Sequence, residues 1–165
     1  MTTRRYAEGT EVSASRSREE IERTIQRFGA TSHVWMRDDV AMRVVVAFKI
    51  GQRSYRFILP LPAPSSPQIT QTPSRRWSRD EKQQRDALEA ETRRRFRSLA
   101  NYLKAMLDAI ETGILHEETA LMPYLLLASG RTVAEDIAPQ IARALEAGEG
   151  LGLRLALAPP EEARR

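Results

Sequence analysis

At 165 residues, with 41% hydrophobic and 29% charged side chains, the chain has the composition of one folded domain rather than of a disordered segment. It contains no cysteine, which excludes disulfides, thiolate catalysis and cysteine-based zinc sites. Net charge is +4, yet residues 1–110 hold 21 basic and 13 acidic side chains while residues 111–165 hold 5 and 9, so an anionic partner is expected at the front of the chain.

The first fifteen residues carry charges and no apolar core, so no signal peptide is read there and a cytoplasmic location is expected. A first helix is expected from Ser17, with Ser17 and Glu20 as a capping box. Ile21, Ile25 and Phe28 form its apolar stripe and Gly29 its stop. His33 to Met36 can form a short strand, followed by a turn at Arg37, Asp38 and Asp39. From Val40 to Ile50 the chain alternates: Val40, Met42, Val44, Val46, Phe48 and Ile50 point one way, and Ala41, Arg43, Val45, Ala47 and Lys49 the other.

Gly51-Gln52 reads as a two-residue hairpin loop with glycine first. Pairing Ile50 with Arg53 then sets Phe48 against Tyr55, Val46 against Phe57 and Val44 against Leu59. All the large apolar residues fall on one face, and a slip of one residue would destroy that agreement. The opposite face carries Arg43, Lys49, Ser54 and Arg56, either an ordinary wet face or a basic one.

Residues 60–78 hold five prolines among Ser, Thr and Gln, and read as a semi-extended linker. They end in Arg75, Arg76, Trp77 and Arg79. Trp77 is expected to pin the start of the next helix as a hydrophobic staple, or else to stack on a nucleic-acid base. That helix is expected from Arg79 to Thr112, capped by Ser78 and Glu81. Its second half carries a stripe from Phe96 to Ile110. Its first half is polar, so Arg93, Arg94, Arg95 and Arg97 are expected to stand free of the core.

Beyond it, Ser129-Gly130 turns the chain and Thr132 with Glu135 makes a capping box for a short helix that Pro139 should kink or split. Leu151, Leu153, Leu155 and Leu157 alternate in the tail, which suits either a strand on a sheet edge or a loose end. The expected architecture is therefore α+β. A small antiparallel sheet built on the hairpin 40–60 is packed by an N-terminal helix and a long C-terminal helical region, as one domain over 1–150 with a tail over 151–165.

No catalytic constellation is legible. His33 and His116 lack metal-ligand spacing, Gly148, Gly150 and Gly152 follow a helix rather than opening one, and no serine is framed as a nucleophile elbow. No enzyme activity, cofactor or metal is expected. The longest apolar run, interrupted by Pro123, is too short to cross a bilayer, so no membrane is expected either.

Several stretches resemble an uncharacterised family of small proteins of bacteriophages and prophages. They are Tyr6-Ala7-Glu8-Gly9-Thr10, Arg18-Glu19-Glu20-Ile21-Glu22, Phe28-Gly29-Ala30, Leu59-Pro60-Leu61-Pro62 and Gly130-Arg131-Thr132-Val133. The aspartate usual before the turn glycine is here Ser129. The resemblance implies a bacterial host cell and a helix–hairpin–linker–helix layout, and no activity. The layout is also similar to that of phage single-strand annealing proteins, which combine an antiparallel sheet, a long helix and a basic groove.

The functional expectation is a nucleic-acid-binding accessory protein, with single-stranded DNA the favoured partner, in phage recombination or replication. Arg43, Lys49, Arg56, Arg75, Arg76, Arg79, Arg93, Arg94, Arg95 and Arg97 are the candidate phosphate contacts and Trp77 the candidate stacking ring. The alternative is a protein–protein interaction module docking on a host or phage protein. A homo-oligomer is compatible with either.

Overall fold

A computed structural model describes residues 12–74 and 77–147. Helix α1 (Ala14–Arg27) leads into strands β1 (Ala30–Asp38), β2 (Arg43–Ile50) and β3 (Arg53–Pro60). A four-residue helix α2 (Pro67–Thr70), the long helix α3 (Glu81–Glu111), the short helix α4 (Glu117–Leu121), a single 3₁₀ turn (Met122–Tyr124) and helix α5 (Val133–Glu146) follow. The three strands form one antiparallel sheet in the order β1-β2-β3, so the fold is α+β.

The hairpin has the expected register: Ile50 opposes Arg53, Phe48 opposes Tyr55, Val46 opposes Phe57 and Val44 opposes Leu59. Gly51 takes φ +56° and Gln52 does not share its sign, which matches the right-handed twist of the strands it joins. The strand preceding it differs. Val40 and Met42, expected inside β2, lie in the turn, where Val40 is 98% exposed and Met42 adopts φ +48°. The cause is Asp38, whose carboxylate accepts from the Ala41 backbone N–H at 2.8 Å and from the Arg43 guanidinium at 3.2 Å. That capped turn delays β2 until Arg43, and β1 runs longer than expected, from Ala30.

One sheet face is packed by α1 and α3. Ile21 and Ile25 of α1 meet Val44, Val46, Phe48, Tyr55, Phe57 and Leu59 of the sheet and Phe96, Leu99, Leu103 and Leu107 of α3 in a single core. Burying a side chain of this size stabilises by about 1.5–3 kcal/mol. Rings extend the core outward: Phe57 stacks on Tyr124 with centroids 4.0 Å apart, and Trp35 stacks on Phe96 at 6.3 Å. Arg18 lies over Trp35 at 4.9 Å.

Helix starts differ from expectation where a neighbouring residue makes the better cap. Ser13, not Ser17, caps α1, and Ser17 is buried inside the helix. Asp80 with Gln83 makes a complete capping box on α3, displacing Ser78 and Glu81. Thr132 with Glu135 caps α5 as expected.

The proline-rich stretch is a folded strap rather than an extended linker. Leu61 donates to the Met42 carbonyl at 2.6 Å, Leu61, Pro62 and Ile69 are buried, and Gln71 bridges Ser78. The expected break at Pro139 does not occur, and α5 runs unbroken through it. Proline cannot donate to the carbonyl four residues back. That carbonyl belongs to Glu135, and the Arg131 guanidinium donates to it instead.

Candidate nucleic-acid interface

The arginines singled out on α3 are held by carboxylates of their own chain. Arg93 donates to Glu89 at 2.9 Å. Arg94 grips Glu91 with two bonds at 2.8 and 2.6 Å, and Arg95 reaches the same carboxylate at 3.0 Å while donating to the Pro60 carbonyl at 2.7 Å. These contacts, Arg94 foremost, hold the Glu91 carboxyl below the usual range. Arg97 donates to Glu20 of α1 and so clasps the two helices together. The four therefore do not stand free of the core. At 100° per residue they also turn around the helix, so they share no common outward track.

On the sheet, Arg43 pairs with Asp38, and Arg56 donates to Glu135 at 2.5 Å and to the Gly130 carbonyl at 2.9 Å. Arg56 thus fastens the start of α5 over the outer face. Lys49 is half-buried on that face and has no carboxylate partner among the described residues. Arg79 donates to the carbonyls of Gln68 and Ile69 and closes the end of the strap. Trp77 is not a staple. It is 73% exposed, and its carbonyl accepts from the Thr72 backbone N–H at 2.9 Å. Arg75 and Arg76 lie outside the described residues.

The 19 basic and 17 acidic residues of the described chain nearly cancel. Uncompensated positive charge is gathered elsewhere, in an open groove of about 390 Å³ between α1 and α3 lined by Arg16, Glu20, Arg23, Thr24, Arg27 and Lys104. Arg27 is partnered by Glu111 at 3.1 Å, and Glu20 is engaged by Arg97. Arg16, Arg23 and Lys104 form no ion pair among the described residues. Arg23 makes only a long bond to the Glu19 carbonyl, at 3.3 Å.

Helix geometry explains the convergence. Arg16, Arg23 and Arg27 are spaced by seven and four residues, which places them within an arc of about 40° on α1. α1 and α3 run in the same direction, since Glu20 meets Arg97 and Arg27 meets Glu111. That alignment brings Lys104 of α3 to the same groove. The spacing was visible in the sequence; the contribution of Lys104, from the apolar half of α3, was not.

Such a groove offers two guanidinium forks and a mobile ammonium to an anion, a donor set suited to phosphate oxygens. Among the described residues no three acidic or histidine side chains are grouped to hold a metal, and no helix is long and apolar enough to cross a membrane. No family model, no curated protein and no solved structure matches the chain.

Proposed function

We infer that the chain binds single-stranded nucleic acid, holding phosphates along the α1/α3 groove. The observation that carries this reading is the convergence of Arg16, Arg23 and Lys104, which make no ion pair among the described residues, in a protein whose other described arginines are so largely paired. A cation already satisfied by a carboxylate gives up that partner when it binds phosphate, so the free ones bind at the lower cost.

The preference for single strands rests on Trp77, an exposed indole on which an unpaired base can stack.

Filter binding of single- and double-stranded oligonucleotides at several salt concentrations tests it. The single strand should bind more tightly, and its affinity should fall as salt rises. Trp77→Ala should cost the single strand about 1–3 kcal/mol and leave the duplex unaffected. Absence of salt-dependent binding to any oligonucleotide at low ionic strength would overturn the reading.

A further inference from the structure

The sheet's second face carries Arg43, Lys49, Ser54 and Arg56 and, between them, an apolar row whose centre, Val45, is buried while its β1 end is exposed. Met36, Val45 and Ile58 stand side by side across the three strands, and Val34 lies beside Ala47 one step along. Val34 and Met36 are 58% and 53% exposed. The edge of β1 away from β2 has no strand partner among the described residues, whereas the free edge of β3 receives Leu125 and Leu126.

Above the same side stands α5, fastened at its first turn by the Arg56–Glu135 pair. Its stripe of Ile137, Ile141 and Leu145 is exposed, and no residue of the helix is buried. α5 is thus tied to this side of the sheet at its first turn and exposes an apolar stripe of its own, and the described chain ends at Ala147, just past its last turn.

We propose that the chain covers this side itself, with Leu151, Leu153, Leu155 and Leu157 set against Val34 and Met36 of β1 and the apolar stripe of α5. The sequence beyond Ala147 fits the task. Four leucines alternate with Gly152, Arg154 and Ala156, so a single extended segment presents all its leucines to one side. No acidic residue interrupts the run from Gly150 to Pro160.

The reach is sufficient. α5, at 14 residues, is about 21 Å long, while the ten residues 148–157 can span up to about 33 Å. The glycines at 148, 150 and 152 permit the chain to reverse after the helix. The open edge of β1 supplies backbone donors and acceptors to an arriving strand.

Because the protein has no cysteine, paired cysteines introduced into the full chain give a clean proximity test. Met36→Cys is combined in turn with Leu153→Cys, Arg154→Cys, Leu155→Cys and Ala156→Cys, and the products of mild oxidation are resolved by non-reducing electrophoresis at several protein concentrations. The proposal expects an intramolecular link at 153 or 155, with at least several-fold less at 154 and 156, and a yield independent of concentration. Links that form between molecules and grow with concentration would instead make a second copy the occupant. Failure to link at all four positions, or equal yields at leucine and non-leucine positions, would overturn it. Ile141→Cys against the same four positions repeats the test from α5, so a register error at β1 alone cannot mask the result.

Discussion

The groove assignment stands or falls on three side chains. Arg16→Gln, Arg23→Gln and Lys104→Gln together remove the groove cations that make no ion pair among the described residues, while keeping an unbranched polar side chain and helix propensity. On a single strand, each phosphate contact contributes about 0.7 to the slope of log affinity against log salt, so three contacts give about −2.1. Affinity of the natural chain should then fall about 18-fold between 50 and 200 mM salt. One substitution should flatten the slope to about −1.4, a fall of about 7-fold, and the triple variant should lose nearly all of it.

The comparison set is Arg93→Gln, Arg94→Gln and Arg95→Gln, which removes the same charge from side chains already bound to Glu89 and Glu91. Its slope should stay near −2, while its melting temperature falls because Glu91 loses both partners. Fluorescence anisotropy of a labelled oligonucleotide across a salt series reads both variants. A triple groove variant with the natural slope, beside a 93–95 variant with a flattened one, would refute the reasoning and return the phosphate contacts to the middle of α3.

Three further outcomes follow from the structure. Pro139→Ala restores the donor for the Glu135 carbonyl and should stabilise α5 by about 1–3 kcal/mol, less whatever Arg131 already contributes there; unchanged protection of the α5 amides in hydrogen exchange would argue against that account. The carboxyls of Asp38, Glu91, Glu118 and Glu135 are held below the usual range, Glu91 by its arginines, Glu118 by Arg53, and Asp38 and Glu135 first by backbone N–H bonds. A depressed folded value stabilises the fold above the ordinary carboxylate pKa and loses that contribution as pH falls through the depressed value, so the melting temperature should drop on acidification below about pH 4, and Glu91→Gln should flatten that limb.

At the other end, burial and the hydrogen bond to Tyr102 push Tyr124 up to about 12. Its contribution is intact below the ordinary tyrosine value and is lost as pH rises toward 12. In an absorbance titration Tyr124 should ionise late, and Tyr102→Phe should bring it earlier; an unchanged titration would mean that the hydrogen bond plays no part.

Residues whose placement depends on local period were legible in the sequence. The agreement of Val44, Val46 and Phe48 with Leu59, Phe57 and Tyr55 specifies the register of the hairpin, and the stripe from Phe96 onward marks the buried half of α3. What depends on a choice among neighbours was not. Asp80 outcompeted Ser78 as a cap, and Asp38 tied its turn so that Val40 fell outside the strand. Long side chains were the hardest: whether Arg97 faces a ligand or Glu20, separated by 77 positions, is decided by how two helices dock. That α5 is not split at Pro139 has the same kind of cause, since the compensation comes from Arg131, outside the helix.

The parallel clasp of α1 and α3 makes the groove a product of completed folding. Its walls come from opposite sides of the whole hairpin and strap, so a chain that has not closed them offers only scattered cations. A polyanion that recognises the assembled groove would then act as a thermodynamic brake on unfolding, worth about 2.7 kcal/mol when present at a hundred times its dissociation constant. Thermal-shift screening with simple polyanions would rank ligands through the tertiary structure itself.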